Sequence, residues 1–146
     1  MKVLFVCTNN VNRSQMAEAF FGRLSTHQVV SAGVRVGERG WDGRTMQEIA
    51  NDPSIRQYLR FTLDIMANEG FDLSGSVANQ LTPEMADSAD RIIALCPKEN
   101  LPDYILHSDK AVFETIRFPT PMTYDSFIQV KDEVKQFVEK LVREMG

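Results

Sequence analysis

The chain alternates between short apolar runs and longer segments in which apolar residues recur at helical spacing. The first run, VLFV at residues 3–6, is continuous, which is typical of a strand covered on both faces. Three further runs predict strands at 29–33, 91–95 and 111–116. Near the C-terminus, apolar residues from Phe127 to Leu141 fall on one stripe, with Lys and Glu opposite. This stripe predicts an amphipathic helix.

Local signals predict the other helices. Met16, Phe20 and Leu24 recur at intervals of four and predict a helix over residues 14–25. Further helices are predicted as one turn near 46–50, from Pro53 (capped by Asp52) to Asn68, and from Pro83 (capped by Thr82). Strands that alternate with helices favour parallel pairing with right-handed crossovers. The predicted fold is therefore α/β: a single domain over residues 1–146, built as a three-layer, doubly wound parallel sheet of about four strands with helices on both faces.

Charge and composition argue against several classes of partner. Sixteen Lys and Arg residues against twenty Asp and Glu residues give a formal net charge of −4. Nucleic-acid binding needs a basic face, which this balance does not favour. The apolar runs are too short to span a membrane, and the start of the chain turns polar too soon for a signal peptide. We therefore expect a cytoplasmic protein with no nucleic-acid partner and no membrane partner.

The residues directly after the first strand carry the most chemical information, because ligands of such sheets bind beyond the carboxyl ends of the strands. There the chain reads Cys7-Thr8-Asn9-Asn10-Val11-Asn12-Arg13-Ser14. A tight loop at a helix N-terminus binds anions through its backbone amides, and consecutive Asn residues tolerate the left-handed conformation that such a loop needs. The spacing predicts that residues 8–13 bind a tetrahedral oxyanion, with the Arg13 guanidinium holding two of its oxygens.

The same loop would activate Cys7 as a nucleophile. A thiol beside a helix N-terminus and a guanidinium ionises more readily than a free cysteine, and Ser14 is placed to donate to the sulfur. The predicted chemistry is attack by a thiolate on the phosphorus or arsenic of the bound oxyanion. No metal or cofactor is expected, because His27 and His107 have no partner spacing and the glycines at 33, 37, 40 and 43 lack a dinucleotide-binding spacing.

The segment VLFVCTNNVNRSQMAEAFF resembles the opening of the low-molecular-weight protein tyrosine phosphatase family, which includes thiol-linked arsenate reductases of the same fold. Further similar segments are VSAG at 30–33, GFDLSGSVANQL at 70–81, ADRIIAL at 89–95 and the last helix, whereas residues 38–69 match poorly. The resemblance implies that Cys7 is the nucleophile, Arg13 the phosphate clamp and Asn10 the residue that holds the shape of the loop. It also implies that Ser14 activates the thiolate and assists hydrolysis of a phosphocysteine.

The chain departs from the family at the general acid. The family usually carries an Asp-Pro after the fourth strand, whose Asp protonates the leaving group, but Phe118-Pro119 or Thr120-Pro121 stands there. Asp125 is the only carboxylate in residues 117–126 and is therefore the candidate acid, although an Asp at a helix N-terminus also stabilises the helix dipole. Asn9 stands where the family commonly has Gly.

Cys96 ends the third predicted strand, at the same sheet edge as Cys7. If those strands are neighbours, their spacing of about 4.8 Å brings the two cysteines within reach of a disulfide. Cys96 resembles the first resolving cysteine of the arsenate reductases, but residues 97–110 hold no second one. A buried thiol with a purely structural role is the alternative.

Three functions stay open on these grounds. The leading hypothesis is a phosphomonoester hydrolase that acts on a phosphorylated protein or a small aryl phosphate through a phosphocysteine at Cys7. The alternatives are an arsenate reductase that uses Cys7 and Cys96, and a non-catalytic oxyanion-binding protein. Trp41 and Tyr124, on loops that face the expected mouth of the site, are candidates to flank an aryl group.

Overall fold

Four parallel strands form the central sheet of the computed structural model, which describes residues 1–146. The strands are β1 (Lys2–Cys7), β2 (Gln28–Gly33), β3 (Arg91–Ala94) and β4 (Ala111–Phe113). The helices are α1 (Arg13–Leu24), α2 (Met46–Ile49), α3 (Arg56–Asn68), α4 (Pro83–Ser88), α5 (Asp103–Leu106) and α6 (Tyr124–Met145). The sheet order is β2-β1-β3-β4, with every pair parallel. The predicted α/β fold with a four-stranded parallel sheet is thus confirmed.

Strand β1 lies in the middle of the sheet, and its side chains alternate between two apolar cores. Val3 and Phe5 belong to the core that contains residues of α1 and α6, whereas Leu4 and Val6 belong to the core that contains residues of α4 and α5. All four side chains are fully buried. Helices on both faces therefore explain why this strand is a continuous apolar run.

A third apolar cluster lies in the segment that matched the family poorly. Trp41 is 3% exposed and packs with residues of α2 and α3, including Met46 and Leu59. Helix α2 is held by a capping box in which Thr45 accepts from the Glu48 amide and Glu48 accepts from the Thr45 amide. The region between the end of β2 and α3 is therefore stabilised by an apolar cluster of its own.

Helix α3 begins later than predicted. The Asp52 carboxylate accepts from the backbone amide of Ser54 at 3.0 Å and from its hydroxyl at 2.8 Å. These bonds hold a local turn at the position where a helix cap was expected, so α3 begins at Arg56 with Ile55 as its N-cap residue. The predicted end at Asn68 is confirmed.

Most other element predictions are confirmed, with shorter strands on one side of the sheet. Strand β3 ends at Ala94 and β4 at Phe113, before the predicted ends at residues 95 and 116. The predicted cap of α4 is present, since the Thr82 side chain accepts from the backbone amide of the third residue of that helix. Helix α5, a single turn of four residues, was not predicted. None of the helices combines the length and apolar character needed to cross a membrane.

Candidate active site

The sheet order reverses between β1 and β3, and an open cavity of about 630 Å³ lies beyond the carboxyl ends of these strands. Three segments supply most of its wall: the loop at residues 8–13, residues 54–62 around the start of α3, and residues 115–127 between β4 and α6. Thr8, Asn9, Val11, Asn12 and Arg13 all line the cavity. The predicted oxyanion-binding residues are therefore brought together, with Asn10 behind them.

Asn10 shapes the loop from behind. It adopts the left-handed conformation with a φ of 55° and is fully buried. Its backbone amide donates to the sulfur of Cys7 at 3.3 Å, and its side-chain oxygen accepts from the amide of Asn79 at 2.9 Å. Gly33 at the end of β2 permits this packing, because a Cβ there would lie 2.8 Å from the backbone of both Thr8 and Asn10. The left-handed Asn was predicted from sequence, whereas the close approach at Gly33 was not.

A chain of hydrogen bonds links the Ser14 hydroxyl to Asn10, Ser31 and Glu18. The Asn10 side-chain amide donates to Ser14 Oγ at 2.7 Å and to Ser31 Oγ at 2.9 Å. Ser31 in turn donates to the Glu18 carboxylate at 2.6 Å. Ser14 Oγ lies 2.8 Å from Cys7 Sγ, and its proton can be donated to the sulfur when Cys7 is a thiolate. Two donors, an amide and a hydroxyl, can therefore stabilise a thiolate on Cys7.

Glu18 forms the far end of this chain. Burial raises the pKa of Glu18 above its ordinary value, and the hydrogen bonds from Ser31 partly oppose that shift. The sequence analysis predicted no role for Glu18 or Ser31. The available signal was that each lies in a segment resembling the family, QMAE and VSAG.

Arg13 is held inside the cavity wall, with 6% of its surface exposed. Its Nη1 donates to the carbonyl of Ile116 at 2.8 Å, and its guanidinium carbon lies 5.8 Å from the centre of the Phe118 ring. Its Nε is buried without a hydrogen-bond partner in the protein. The preceding residue, Asn12, donates to Thr62 Oγ1 on α3 at 2.7 Å, which ties the loop to that helix.

Cys96 lies two residues after β3 and, like Cys7, is a buried free cysteine. Because Val6 pairs with Ala94, the two cysteines leave neighbouring strands at the same sheet edge. Burial raises the pKa of Cys96 to about 11; the charge of Cys7 adds to the shift, while nearby Arg13 and Thr8 oppose it. At neutral pH Cys96 is therefore a protonated thiol.

The cavity wall contains three arginines, Arg13, Arg39 and Arg117, and no carboxylate. Asp125, the predicted general acid, is exposed in the first turn of α6 and lies outside this wall. It occupies the position at which a carboxylate stabilises a helix dipole. The structure therefore does not bring Asp125 together with Cys7. No three His, Cys, Asp or Glu side chains are grouped to hold a metal ion.

The aromatic residues of the wall differ from those predicted. Trp41 is buried in the third apolar cluster, and Tyr124 packs edge-on against another ring, so neither lines the cavity. The rings in the wall are Tyr58, Phe118 and Phe127. Phe127 stacks on Tyr58 at 6.2 Å and meets Phe118 at 6.1 Å between ring centres. The sequence offered no means to distinguish these rings from core residues, because they come together only when α3, the segment before α6 and the start of α6 pack against each other.

Fold and site together define a class of α/β protein in which a thiol nucleophile lies beneath an anion-binding loop at the end of the first strand. Within that class, the chain belongs to the low molecular weight phosphotyrosine protein phosphatase family, whose sequence model matches residues 2–146. The resemblance inferred from the loop is thus confirmed.

Similar proteins include both phosphatases and arsenate reductases. The chain is 33% identical to low molecular weight protein-tyrosine-phosphatase YfkJ of Bacillus subtilis over 95 residues, which cover 65% of this chain and only 56% of that protein. It is 28% identical to glutaredoxin arsenate reductase of Synechocystis over 148 residues, covering 99% and 98% of the two chains. Among solved structures, Vibrio vulnificus Wzb in complex with benzylphosphonate has the same fold, with a TM-score of 0.79, 17% identity and coverage of 98% and 97%.

Proposed function

We propose that the protein hydrolyses phosphomonoesters through a phosphocysteine formed at Cys7, in the manner of a low-molecular-weight protein tyrosine phosphatase and without a metal or cofactor. The observation that carries this proposal is the environment of the Cys7 sulfur, which accepts from the Asn10 amide and lies 2.8 Å from the Ser14 hydroxyl. Phosphorylated proteins and small aryl phosphates are the proposed substrates. The reaction needs Cys7 as a free thiol, which suits a reducing compartment such as the cytoplasm.

In the first step the sulfur of Cys7 attacks phosphorus, an S–P bond forms, and the P–O bond to the leaving group breaks. Loop amides and Arg13 would hold the phosphoryl oxygens, and a bound oxyanion would give the buried Arg13 Nε the partner it lacks in the protein. In the second step water attacks phosphorus, inorganic phosphate leaves, and the thiolate returns. The Ser14 hydroxyl, positioned by Asn10, stabilises the sulfur anion before and after this cycle.

The absence of a carboxylate in the cavity wall affects which substrates react well. A general acid contributes about 10²–10⁴-fold to rate, so without one the leaving oxygen must take its proton from water. The rate is reduced least for leaving groups that are already stable as anions, such as activated phenols. The rings of Tyr58, Phe118 and Phe127 supply an apolar wall for an aryl group.

A hydrolysis assay with p-nitrophenyl phosphate tests this proposal. We expect turnover by the wild-type protein and a loss of at least about a thousandfold in Cys7→Ser, since the nucleophile is removed while the loop still binds phosphate. Cys96→Ser is the matched control, because it removes the other buried thiol and should keep most of the activity. Equal rates for wild type and Cys7→Ser would exclude a phosphocysteine mechanism.

Arsenate reduction is a second candidate, favoured by the position of Cys7 and Cys96 at one sheet edge. Cys7 would displace an oxygen of arsenate, and Cys96 would then attack the Cys7 sulfur. The two sulfurs would be oxidised to a disulfide while arsenic(V) leaves as arsenite, and an external thiol would reduce the disulfide. The raised pKa of Cys96 opposes the second attack. Loss of both free thiols on incubation with arsenate would favour this function, whereas phosphate binding with no turnover of either substrate would indicate a non-catalytic binder.

A further inference from the structure

Two arginines besides Arg13 enter the cavity wall from segments that follow the edge strands of the sheet. Arg39 lies in the segment after β2, and Arg117 lies four residues after the end of β4. Both are exposed, whereas Arg13 is buried. The inner guanidinium therefore belongs to the oxyanion loop, and the two outer ones lie at the more solvent-exposed part of the same cavity.

Two contacts orient the guanidinium of Arg39. Its Nε donates to the side-chain oxygen of Asn9 at 3.0 Å, and its central carbon lies 5.0 Å from the centre of the Trp41 ring. Trp41 is itself held in a buried cluster. A glycine at position 9 would offer no such acceptor. These contacts leave both terminal nitrogens of Arg39 without a hydrogen-bond partner in the protein, which makes them preorganised donors.

Neither Arg39 nor Arg117 forms an ion pair with a carboxylate of the protein. All five ion pairs are formed by residues outside the cavity wall, and none includes Arg39 or Arg117. Asp52 lies near Arg39, but its carboxylate accepts from the Ser54 amide and hydroxyl and makes no ion pair. Those bonds are the main cause of its lowered pKa, and the charge of Arg39 contributes less.

The charge of the wall exceeds what one phosphoryl group requires. The loop amides and Arg13 account for a single oxyanion, yet the wall holds two further cations and no carboxylate, in a chain whose net charge is −4. Such a local excess of positive charge raises the affinity for ligands with additional negative charge.

We propose that Arg39 and Arg117 bind a second anionic group of the substrate, so that the preferred substrate is an aryl phosphate with a carboxylate or similar anion close to the ring. This inference rests on the proposed function, because it assumes that the phosphoryl group is held above Cys7. The second anion has two sources, an acidic side chain next to a phosphotyrosine or a carboxylate of a small aryl phosphate. Arg39 is the principal contact because its guanidinium is already held.

The experiment compares matched substrates that differ only in the second anion. One pair is a phosphotyrosine peptide flanked by Glu and the same peptide flanked by Gln, and the other is N-acetyl-phosphotyrosine and its amide. We expect wild-type kcat/KM to favour the anionic member of at least one pair about tenfold, which is the low end of what hydrogen bonds to charged groups contribute. This preference should weaken as salt is raised, since exposed charges are screened.

Variants assign the preference to the two arginines. In Arg39→Gln the preference should fall to less than about threefold, in the Arg39→Gln/Arg117→Gln double variant it should disappear, and in Arg39→Lys it should be partly kept. The matched control is Arg60→Gln, which removes the same charge from an exposed position on α3 outside the wall and should keep the full preference. The preference is a ratio within each variant, so a general loss of activity does not affect it.

The outcomes separate this proposal from the one on which it rests. Wild-type protein that hydrolyses p-nitrophenyl phosphate but treats both members of both pairs equally would overturn the second-anion site and leave the phosphatase function intact. A preference that survives in the double variant would also overturn it. If the wild-type protein hydrolyses none of these substrates, the test becomes a measurement of the equilibrium affinity of Cys7→Ser for the same substrate pairs. Tighter binding of the anionic member that is lost on Arg39→Gln would support the second-anion site, and equal affinities for the two members would refute it. The pair that shows the preference identifies the source of the second anion.

Discussion

Replacing Phe118 by aspartate should supply the carboxyl group that the cavity wall lacks and should accelerate the release of poor leaving groups. Phe118 lines the wall, with its ring centre 5.8 Å from the guanidinium carbon of Arg13, and it precedes Pro119. The substitution therefore recreates the Asp-Pro pair that the family usually carries, at one of the two positions where that pair would stand in this chain.

The structure also limits the size of the gain. A general acid is worth about 10²–10⁴-fold, but a carboxylate about 6 Å from a guanidinium is stabilised by about 3 kcal/mol at an effective dielectric constant of 20. This attraction favours the ionised form by about a hundredfold, and the negative charge of a bound phosphoryl group works against it. We expect kcat for phenyl phosphate to rise about tenfold to a hundredfold, and kcat for p-nitrophenyl phosphate to change less than about threefold. Lost packing of the half-exposed ring should cost about 1–2 kcal/mol of unfolding free energy.

The assay measures kcat for a series of aryl phosphates and plots its logarithm against leaving-group basicity. Wild type should show a steep dependence, and Phe118→Asp a shallower one together with a new loss of rate at alkaline pH. Phe118→Asn is the matched control, since it has the same size and no acid. Identical slopes for Phe118→Asp and Phe118→Asn would refute the reasoning. A slope that steepens in Asp125→Asn would show instead that this exposed residue is the acid, as the sequence suggested; we expect no change.

Two further predictions concern buried titratable groups. Because the pKa of Cys96 is about 11 rather than 9.0, we expect iodoacetamide to modify it at pH 8 about a hundredfold more slowly in the folded protein than in urea, as measured by peptide mapping; equal rates would contradict its burial as a neutral thiol. The raised pKa of Glu18 means that the folded state binds this proton more tightly, so the stability it contributes is present at acidic pH, below the ordinary value of 4.5, and is lost as pH rises through the folded-state pKa. In urea denaturation, the unfolding free energy of Glu18→Gln should therefore be closest to that of wild type near pH 4 and should rise relative to wild type towards pH 7.5. A difference in unfolding free energy that stays constant with pH would refute this linkage.

The order and type of the main elements were predictable because their signals are local. A continuous apolar run such as residues 3–6 indicates a strand that is buried on both faces, and an apolar stripe like that of α6 indicates a helix that is buried on one face. The oxyanion loop was predictable for the same reason, since Cys7, Arg13 and the helix start lie within eight residues of each other. A short loop between a strand and a helix has few conformations open to it, so spacing alone restricts the geometry.

Features that join distant segments were not predictable in this way. The partner of Arg39 lies 30 positions away at Asn9, and Ser31 lies 13 positions from Glu18. Local pattern also assigned Trp41 to the cavity, although packing against α2 and α3 buries it. The hydrophobic effect is non-directional, so any apolar contact lowers the free energy and no particular partner is specified. Which side chains pack together therefore depends on the whole fold. The sequence by itself determined the sheet, the main helices and the nucleophile loop, whereas the tertiary structure decided which charges and rings surround that loop, because those contacts form only when separate elements pack together.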